Sequence, residues 1–269
     1  MLRTRQHGDV TEIRLTTAFL GRPMYSVSAY LFDGTLVDTG PPRTGRELAR
    51  WAAGQQIDQI VNTHHHEDHV GGNAFLSHLP ALAPPDTVPR LVRAPRIPLY
   101  RRTTFGQPRP ATASPMGDVV ATHRHTLHVI PTPGHAFDHV VLWLPERGWL
   151  FSADLYLMER ARYVRRRDDV GLWMESLRRM LGYDFDTMFC AHAGPVGDAH
   201  AAIRRKLAYW EELQGEARRL ADAGYSPRAI RRRLLGREGF LTAWSGGNFS
   251  KENLIRALLA MGAGEKAAA

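Results

Sequence analysis

The sequence predicts an α/β protein that ends in a helical segment. Short strand-like segments alternate with helical ones over the first 199 residues, and the pattern after residue 199 is helical. A length of 269 residues fits one large domain or a domain with an appendage, and 43% hydrophobic residues suffice for a substantial core. We therefore predict a core over residues 1–199 and a helical extension over residues 200–269 that packs on it.

The first 80 residues carry the signals of a hairpin, two helices and a buried strand. Asp33-Gly34 is a strong hairpin turn between apolar segments. Gly54 follows a helical stretch as a C-cap residue. The predicted elements are strands at 10–15, 27–32 and 36–38, a helix at 44–53, a strand at 57–61 and a short helix at 74–79.

Residues 80–117 interrupt this pattern with nine of the 17 prolines. Proline fixes φ and lacks an N–H group, so the segment is predicted to be irregular or extended, with one strand at 91–93. Long loops in compact domains are usually functional or mobile. Two interpretations stay open, a lid that shapes a substrate site or a disordered insertion.

The remaining signals predict a second set of strands, followed by helices. Ser226 and Pro227 begin a helix that ends near Gly236, and Ser250 caps the last helix. The predicted strands are 127–130, 140–144, 149–151 and 187–190, and the predicted helices are 172–181, 199–223, 227–236 and 251–261. Residues 262–269 are expected to fray.

Charge and composition narrow the class of protein. The net charge of +8, carried mostly by arginine, favours anionic partners, but a genome-wide preference for arginine is the simpler explanation. No stretch approaches the roughly 20 apolar residues of a membrane helix, and the N-terminus lacks the apolar region of a signal peptide. The single cysteine, Cys190, fits a reducing compartment. We expect a cytoplasmic protein without membrane contact, whose oligomeric state stays open, with a homo-oligomer among the alternatives.

Metal-ligand side chains are densest at residues 64–69, which directly follow a predicted strand. Ligands of open α/β folds lie at the carboxyl ends of strands, and imidazole and carboxylate suit zinc and related ions. Three later predicted strands also end near a histidine or an aspartate. The candidate ligands are His64, His66, Asp68, His69, His135, Asp154 and His192. One zinc ion takes three or four protein ligands, so seven are the number for two metals that share a carboxylate.

The ordered set His64-x-His66-x-Asp68-His69, His135, Asp154 and His192 resembles the metallo-β-lactamase superfamily. Residues 36–40 resemble that family's early strand-turn motif, and the resemblance covers roughly residues 10–200. It implies a four-layer αβ/βα sandwich with the metals at one edge of two facing sheets. By that resemblance His64, His66 and His135 hold one metal, Asp68, His69 and His192 hold the other, and Asp154 bridges them.

Four neighbours of the ligands are interpreted as supporting residues. His65 and Glu67 match positions of the motif that do not bind metal. His139 resembles a histidine that is often found in this turn, and Asp38 is expected to hydrogen-bond within its own turn.

The third-position histidine and the bridging aspartate resemble the glyoxalase II-like branch. This implies a metal-dependent hydrolase of thioesters, esters or lactones with two divalent ions, zinc first and iron or manganese as alternatives. Metal-bound water has a pKa of about 7, so a bridging hydroxide is the expected nucleophile, which Asp68 would orient. Tyr156 is predicted to donate a hydrogen bond to the oxyanion, with a packed aromatic residue as the alternative.

The expected partner is a small acyl substrate, neutral or anionic. The arginines of residues 160–167 would bind the phosphates of a coenzyme A thioester or of a carrier-protein arm. By analogy with the glyoxalase II-like branch, residues 200–269 would wall the cleft.

Three other functions stay open. A persulfide dioxygenase-like oxidoreductase would use one iron held by two histidines and one aspartate. A nucleic-acid phosphodiesterase is favoured by charge alone, and the basic runs lack interleaved aromatic residues. A binding protein on a degenerate scaffold is disfavoured because all seven ligand positions are filled.

Overall fold

Two β-sheets face each other in the centre of the protein. The computed structural model describes residues 1–19 and 21–261, so the predicted fraying of 262–269 lies outside the described residues. The first sheet contains seven strands: β1 (Leu2–His7), β2 (Val10–Phe19), β3 (Arg22–Phe32), β4 (Thr35–Val37), β5 (Gln59–Val61), β6 (Ala81–Ala83) and β7 (Ser114–Pro115). They lie side by side in chain order, and β4 to β7 are parallel.

The second sheet places three strand ends at one edge. Its strands are β8 (Val119–Ala121), β9 (Thr126–Pro131), β10 (Val140–Leu144), β11 (Trp149–Ala153), then β13 (Thr187–Cys190) and β14 (Gly194–Val196), while β12 (Val164–Arg165) pairs with β15 (Phe249–Ser250) in a small separate sheet. Strands β9 and β11 are each antiparallel to β10, and β13 is parallel to β11. The carboxyl ends of β9, β11 and β13 therefore point the same way.

Helices cover the outer face of each sheet. They are α1 (Gly45–Ala52), α2 (Glu67–Val70), α3 (Val88–Arg93), α4 (Leu99–Phe105), α5 (Val170–Met180), α6 (Ala199–Asp222), α7 (Pro227–Leu235), α8 (Phe240–Trp244) and α9 (Lys251–Ala260). Among the described residues, no helix combines the length and the apolar character needed to cross a bilayer.

Three buried layers confirm the predicted four-layer sandwich. Phe32 of the first sheet and Phe151 of the second lie in the core between the sheets. Leu48 of α1 packs with Ile60 in a layer outside the first sheet. A third layer, which includes Trp210 of α6, covers the second sheet together with α5, α7 and α9. Apolar side chains therefore fill the space between the two sheets and the space outside each of them.

The C-terminal helices share a core with the second sheet. Leu150 and Met188 of that sheet belong to the same cluster as Ile203 of α6 and Leu254 of α9. The contacts place the extension against the sheet, and a division at residue 199 stays a prediction. Helix α6 also buries the charged side chain of Lys206 completely, next to Trp210 of this cluster.

The proline-rich segment is more regular than predicted. The strand predicted at 91–93 is wrong, because these residues end helix α3. Pro89 lies in the first turn of that helix, where its missing N–H group is not needed. The helix predicted at 74–79 is only one 3₁₀ turn, Asn73–Phe75. Strand β1 is not predicted from the sequence, because its residues are mostly exposed and polar and only its pairing with β2 defines it.

Candidate metal centre

All seven candidate ligands meet at the edge of the two sheets, in two groups. Within each group one ligand atom from every member lies within 4.8 Å of the others. The first group is His64, His66, His135 and Asp154, and the second is Asp68, His69 and His192. The segment after β5, which includes α2, supplies four of these side chains, and the loops after β9, β11 and β13 supply one each. The grouping is the one that the resemblance implies, and metal coordination by these residues stays a prediction.

Asp154 lies between the two groups. Its Oδ2 atom is 2.8 Å from His135 Nε2, while its Oδ1 atom is 3.1 Å from His192 Nε2 and 3.3 Å from His69 Nε2. One carboxylate therefore contacts members of both groups, which is the position required of a bridging ligand.

Unusual backbone conformations present two of the ligands. Ala153, directly before Asp154, has φ +43°, and the pairing of β11 with β13 shifts register there. This conformation costs about 1–3 kcal/mol for a residue with a Cβ atom, and such strain is typical of functional sites. Gly134, directly before His135, has φ +131°, and a Cβ atom there would lie 2.3 Å from the backbone nitrogen of Trp173.

Unsatisfied buried atoms indicate that the donor set fits metal ions. His64 Nε2, His69 Nε2 and Asp154 Oδ1 are buried, and among the described residues none makes a well-aligned hydrogen bond, although His69 Nε2 lies 3.3 Å from Asp154 Oδ1. Each such atom costs about 1–3 kcal/mol. Divalent cations bound in the two groups, with Asp154 shared between them, would satisfy all three atoms, and imidazole with carboxylate is a donor set that suits zinc.

The electrostatics of the cluster favour neutral histidines in the first group. Burial, with the nearby His69 and Arg165, lowers the pKa of His64 and of His66 well below the ordinary value. Neutral imidazole is the form that binds a metal. For His69 burial alone would lower the pKa, but the carboxylates of Asp154 and Asp38 outweigh it and raise the pKa well above the ordinary value.

Asp38 fixes the orientation of His69. His69 Nδ1 donates to Asp38 Oδ2 over 2.7 Å, and Thr63 donates to the same carboxylate through Oγ1 (2.8 Å) and its backbone N–H (2.9 Å). Asp38 itself has φ +61° and is buried. With Nδ1 donating its proton, His69 Nε2 is left free to bind a metal.

Asp38→Asn is expected to weaken zinc binding by about 10–100-fold. All three partners of the Asp38 carboxylate are donors, so the amide group of asparagine must turn its NH₂ towards one of them. Asparagine tolerates positive φ, so the backbone is expected to keep its conformation. Competition with a chromogenic chelator measures the affinity, and an unchanged value would contradict this role of Asp38.

The other predicted supporting residues lie behind the ligands. Thr132 Oγ1 is 2.8 Å from His139 Nδ1, and the backbone N–H of Asp154 donates to His139 Nε2 over 3.1 Å. His65 Nδ1 donates to Asp138 Oδ1 over 2.8 Å. These contacts hold the loops that carry the ligands.

A buried ion pair supports the helix that carries Asp68. Glu67 pairs with Arg101, whose Nη2 atom donates to Glu67 Oε2 over 2.7 Å. The Glu67 carboxylate therefore faces α4, not the ligand cluster.

The structure places Tyr156 away from the cleft. Its side chain is buried in the core outside the second sheet, 6.0 Å from Lys206 Nζ, which is the packed-aromatic alternative. Its placement does not support the oxyanion role. Another tyrosine, Tyr25 on β3, reaches the centre instead: its hydroxyl donates to Asp68 Oδ2 over 2.5 Å and lies 3.1 Å from His192 Nε2.

One arginine of the 160–167 run reaches the ligands. Arg165 is buried, its Nε pairs with Asp168 (2.9 Å), and its Nη2 donates to the carbonyl of His135 over 2.6 Å. Its Nη1 lies 2.5 Å from His66 Nε2. A His66 ring that binds metal has its Nε2 either coordinated or protonated, so this contact and metal binding exclude each other.

A cleft opens above the centre and has a volume of about 430 Å³. Helix α4, from the proline-rich segment, supplies Tyr100 and Phe105, and the C-terminal region supplies Leu241, Trp244 and Phe249. This placement fits a segment that shapes a substrate site, while movement as a lid stays a prediction.

The four-layer fold and the cluster of seven candidate ligands together define a class of protein. It is the class of α/β sandwiches with a histidine and aspartate site for divalent metals. The sequence profile of the Metallo-beta-lactamase superfamily matches residues 23–192. The chain belongs to this superfamily.

Comparisons with individual proteins agree with this assignment. The chain is 26% identical over 242 residues to the lactamase-like protein notP of Aspergillus sp. (83% of this chain, 68% of that protein). It is 34% identical over 155 residues to a hydroxyacylglutathione hydrolase of Rhizobium meliloti (56% of this chain, 54% of that protein). The chain therefore matches about half the length of that hydrolase.

Solved structures share the fold. A beta-lactamase domain protein from Burkholderia ambifaria superimposes with a TM-score of 0.73 at 18% identity, covering 96% of this chain and 89% of the other. A metallo-beta-lactamase family protein from Thermus thermophilus superimposes with a TM-score of 0.69 at 20% identity, covering 96% of this chain and 94% of the other.

Proposed function

We propose that this protein is a hydrolase of thioester, ester or lactone bonds that uses two divalent metal ions, with zinc expected first. The observation that carries the proposal is the position of Asp154, whose carboxylate contacts both groups of ligands. The similarity to hydroxyacylglutathione hydrolases supports the thioester reaction. A coenzyme A or carrier-protein thioester, bound by exposed arginines such as Arg166 and Arg167, remains part of this proposal.

The side chains have separate tasks in this reaction. Two bound divalent ions would supply a hydroxide nucleophile at neutral pH, because coordination lowers the pKa of water. Asp68 would accept a hydrogen bond from that nucleophile with one oxygen while Tyr25 holds the other, and so fix its direction of attack. The Tyr25 side chain also lines the cleft, but its single O–H proton is donated to Asp68, so its task is to position that carboxylate.

The dioxygenase alternative would leave part of the cluster unused. An iron ion held by two histidines and one aspartate would use three of the seven clustered candidate ligands and leave the other four without a metal. Two metal ions satisfy both groups, which favours the hydrolase.

A hydrolysis screen with thioesters, lactones and phosphodiesters tests the proposal. We expect thioester or ester cleavage by the zinc-loaded protein, and a loss of at least about 10³-fold in kcat/KM for His66→Ala. His128→Ala, the same change at a partly exposed histidine of β9, is the control and is expected to retain activity. Full activity of His66→Ala would overturn the proposal. One bound iron per chain, with oxygen consumption and no hydrolysis, would establish the alternative.

A further inference from the structure

The walls of the cleft above the metal centre are apolar. Met24, Leu157 and Met158 line the cleft. Phe105 is stacked edge-on against Tyr25, with 4.7 Å between ring centroids. The C-terminal wall consists of Leu241, Trp244 and Phe249. A substrate that enters the cleft therefore contacts mainly hydrocarbon and aromatic surface.

Each charged or hydroxyl-bearing side chain that lines this cleft outside the ligand cluster already has a partner within the described residues. Arg101 pairs with Glu67, and Arg165 pairs with Asp168. Thr104 Oγ1 donates to the carbonyl of Tyr100 over 2.8 Å. The Tyr100 hydroxyl in turn accepts from Asn248, and the Tyr25 hydroxyl donates to Asp68. Among the described residues, the walls of the cleft therefore offer no unpaired charge to an anionic substrate.

Apolar side chains also remain exposed at the mouth of the cleft. The exposed fractions are 39% for Met24, 56% for Met158, 38% for Leu241 and 39% for Trp244. Phe240, which is 78% exposed, stacks on Trp244 with ring centroids 5.8 Å apart. Large side chains of this kind cost solubility unless they cover an apolar ligand.

From these observations, and resting on the proposed hydrolase function, we infer that the substrate carries a bulky apolar acyl group, alkyl or aromatic. Its carbonyl group lies at the metal centre, and its body lies against the apolar lining, which includes Met24, Phe105, Leu241 and Trp244. The cleft volume of about 430 Å³ is in the range of small-molecule sites. Polar acyl groups would lose hydration against these walls without gaining partners.

A series of N-acetylcysteamine thioesters with acetyl, butanoyl, hexanoyl, octanoyl and 2-naphthoyl groups tests this inference on the zinc-loaded full chain. Burial of each methylene group is expected to raise kcat/KM by about two- to fourfold up to octanoyl. The kcat/KM of the 2-naphthoyl thioester is expected to exceed that of the acetyl thioester by at least about 100-fold.

Two matched leucines locate the effect in the cleft. Leu241→Ala is expected to lower the ratio of octanoyl to acetyl kcat/KM about fivefold. Leu172→Ala removes the same atoms from a leucine of similar exposure, 43%, that does not line the cleft, and is expected to keep the ratio. Trp244→Ala is expected to lower the ratio at least about tenfold.

Binding of 2-naphthoate, measured by calorimetry, separates this inference from the hydrolase proposal. If kcat/KM is the same for all acyl groups and the acetyl thioester is clearly hydrolysed, the inference of an apolar substrate is wrong and the proposed hydrolase function stands. Absence of all hydrolysis, together with 2-naphthoate binding that Trp244→Ala weakens at least about fivefold, would overturn the hydrolase and retain the apolar site. Equal 2-naphthoate affinity in the wild type and both cleft variants would overturn the site itself.

Discussion

Asp154→Asn is expected to lower kcat/KM for the best thioester substrate by at least about 10³-fold and to reduce bound zinc from two ions per chain to one or fewer. The reason is the position of its carboxylate between the two groups, 2.8 Å from His135 Nε2 and 3.1 Å from His192 Nε2. Asparagine keeps the shape of the side chain but removes the negative charge and puts an NH₂ group against one group of ligands.

Kinetics at saturating zinc and elemental analysis of the dialysed protein measure the two effects. Asp33→Asn is the matched control, because Asp33 is also a shielded carboxylate but lies in a hairpin turn, bonded to Thr122 and Arg124. We expect the control to keep both zinc ions and its activity within about threefold. Two tightly bound zinc ions in Asp154→Asn would show that this carboxylate does not join the two metal sites.

Lys206→Met is expected to change how stability depends on pH. Burial lowers the pKa of Lys206 to about 7, whereas a lysine in an unfolded chain titrates near about 10.4. Between these values the unfolded chain binds more protons than the folded chain, so Lys206 makes the free energy of unfolding rise with pH. Below about pH 7 the ammonium group is charged in both states, and the cost of burying it is fully present.

The surroundings of Lys206 set the size of this effect. A difference of about 3.4 between the two pKa values corresponds to about 5 kcal/mol at about 1.36 kcal/mol per unit. The rings of Trp210 and Trp173 lie 4.2 Å and 5.1 Å from Nζ and attract the ammonium form, which reduces the effect to about 2–4 kcal/mol. Nζ also donates to the carbonyl of Met158 over 3.2 Å.

Urea unfolding at several pH values measures the difference in stability between Lys206→Met and the wild type. The advantage of the variant over the wild type is expected to fall by about 2–4 kcal/mol between pH 6.5 and pH 10. Lys251→Met makes the same change at a partly exposed lysine of α9. A difference that stays constant over this pH range, or that the Lys251 variant reproduces, would contradict the buried-lysine interpretation.

The ligand cluster is predictable from sequence because its residues are clustered locally and follow apolar strands. Four of the seven candidate ligands lie within six positions, and His135, Asp154 and His192 each follow a recognisable strand. The fold follows from the same ordered set, and the profile match and the three buried layers confirm it.

Residues that reach the centre through tertiary contacts are not predictable in this way. Tyr25 is 43 residues from Asp68 in sequence, and nothing in the local pattern of β3 indicates that its hydroxyl enters the site. Arg165 is one of three consecutive arginines, and only its pairing with Asp168 and the contact of β12 with β15 single it out. Tyr156 lies two positions after Asp154 in sequence, but the chain buries it in the core instead.

The candidate ligands come from both sheets, and this has a consequence for folding. Residues 64–69 follow a strand of the first sheet, while His135, Asp154 and His192 follow strands of the second. A cation bound by residues of both sheets is a reversible cross-link between the two halves of the sandwich. A metal ion at a free concentration of about 100 times its dissociation constant adds about 2.7 kcal/mol to the free energy of unfolding. Metal supply would then govern how long the folded chain survives, in addition to how fast it reacts.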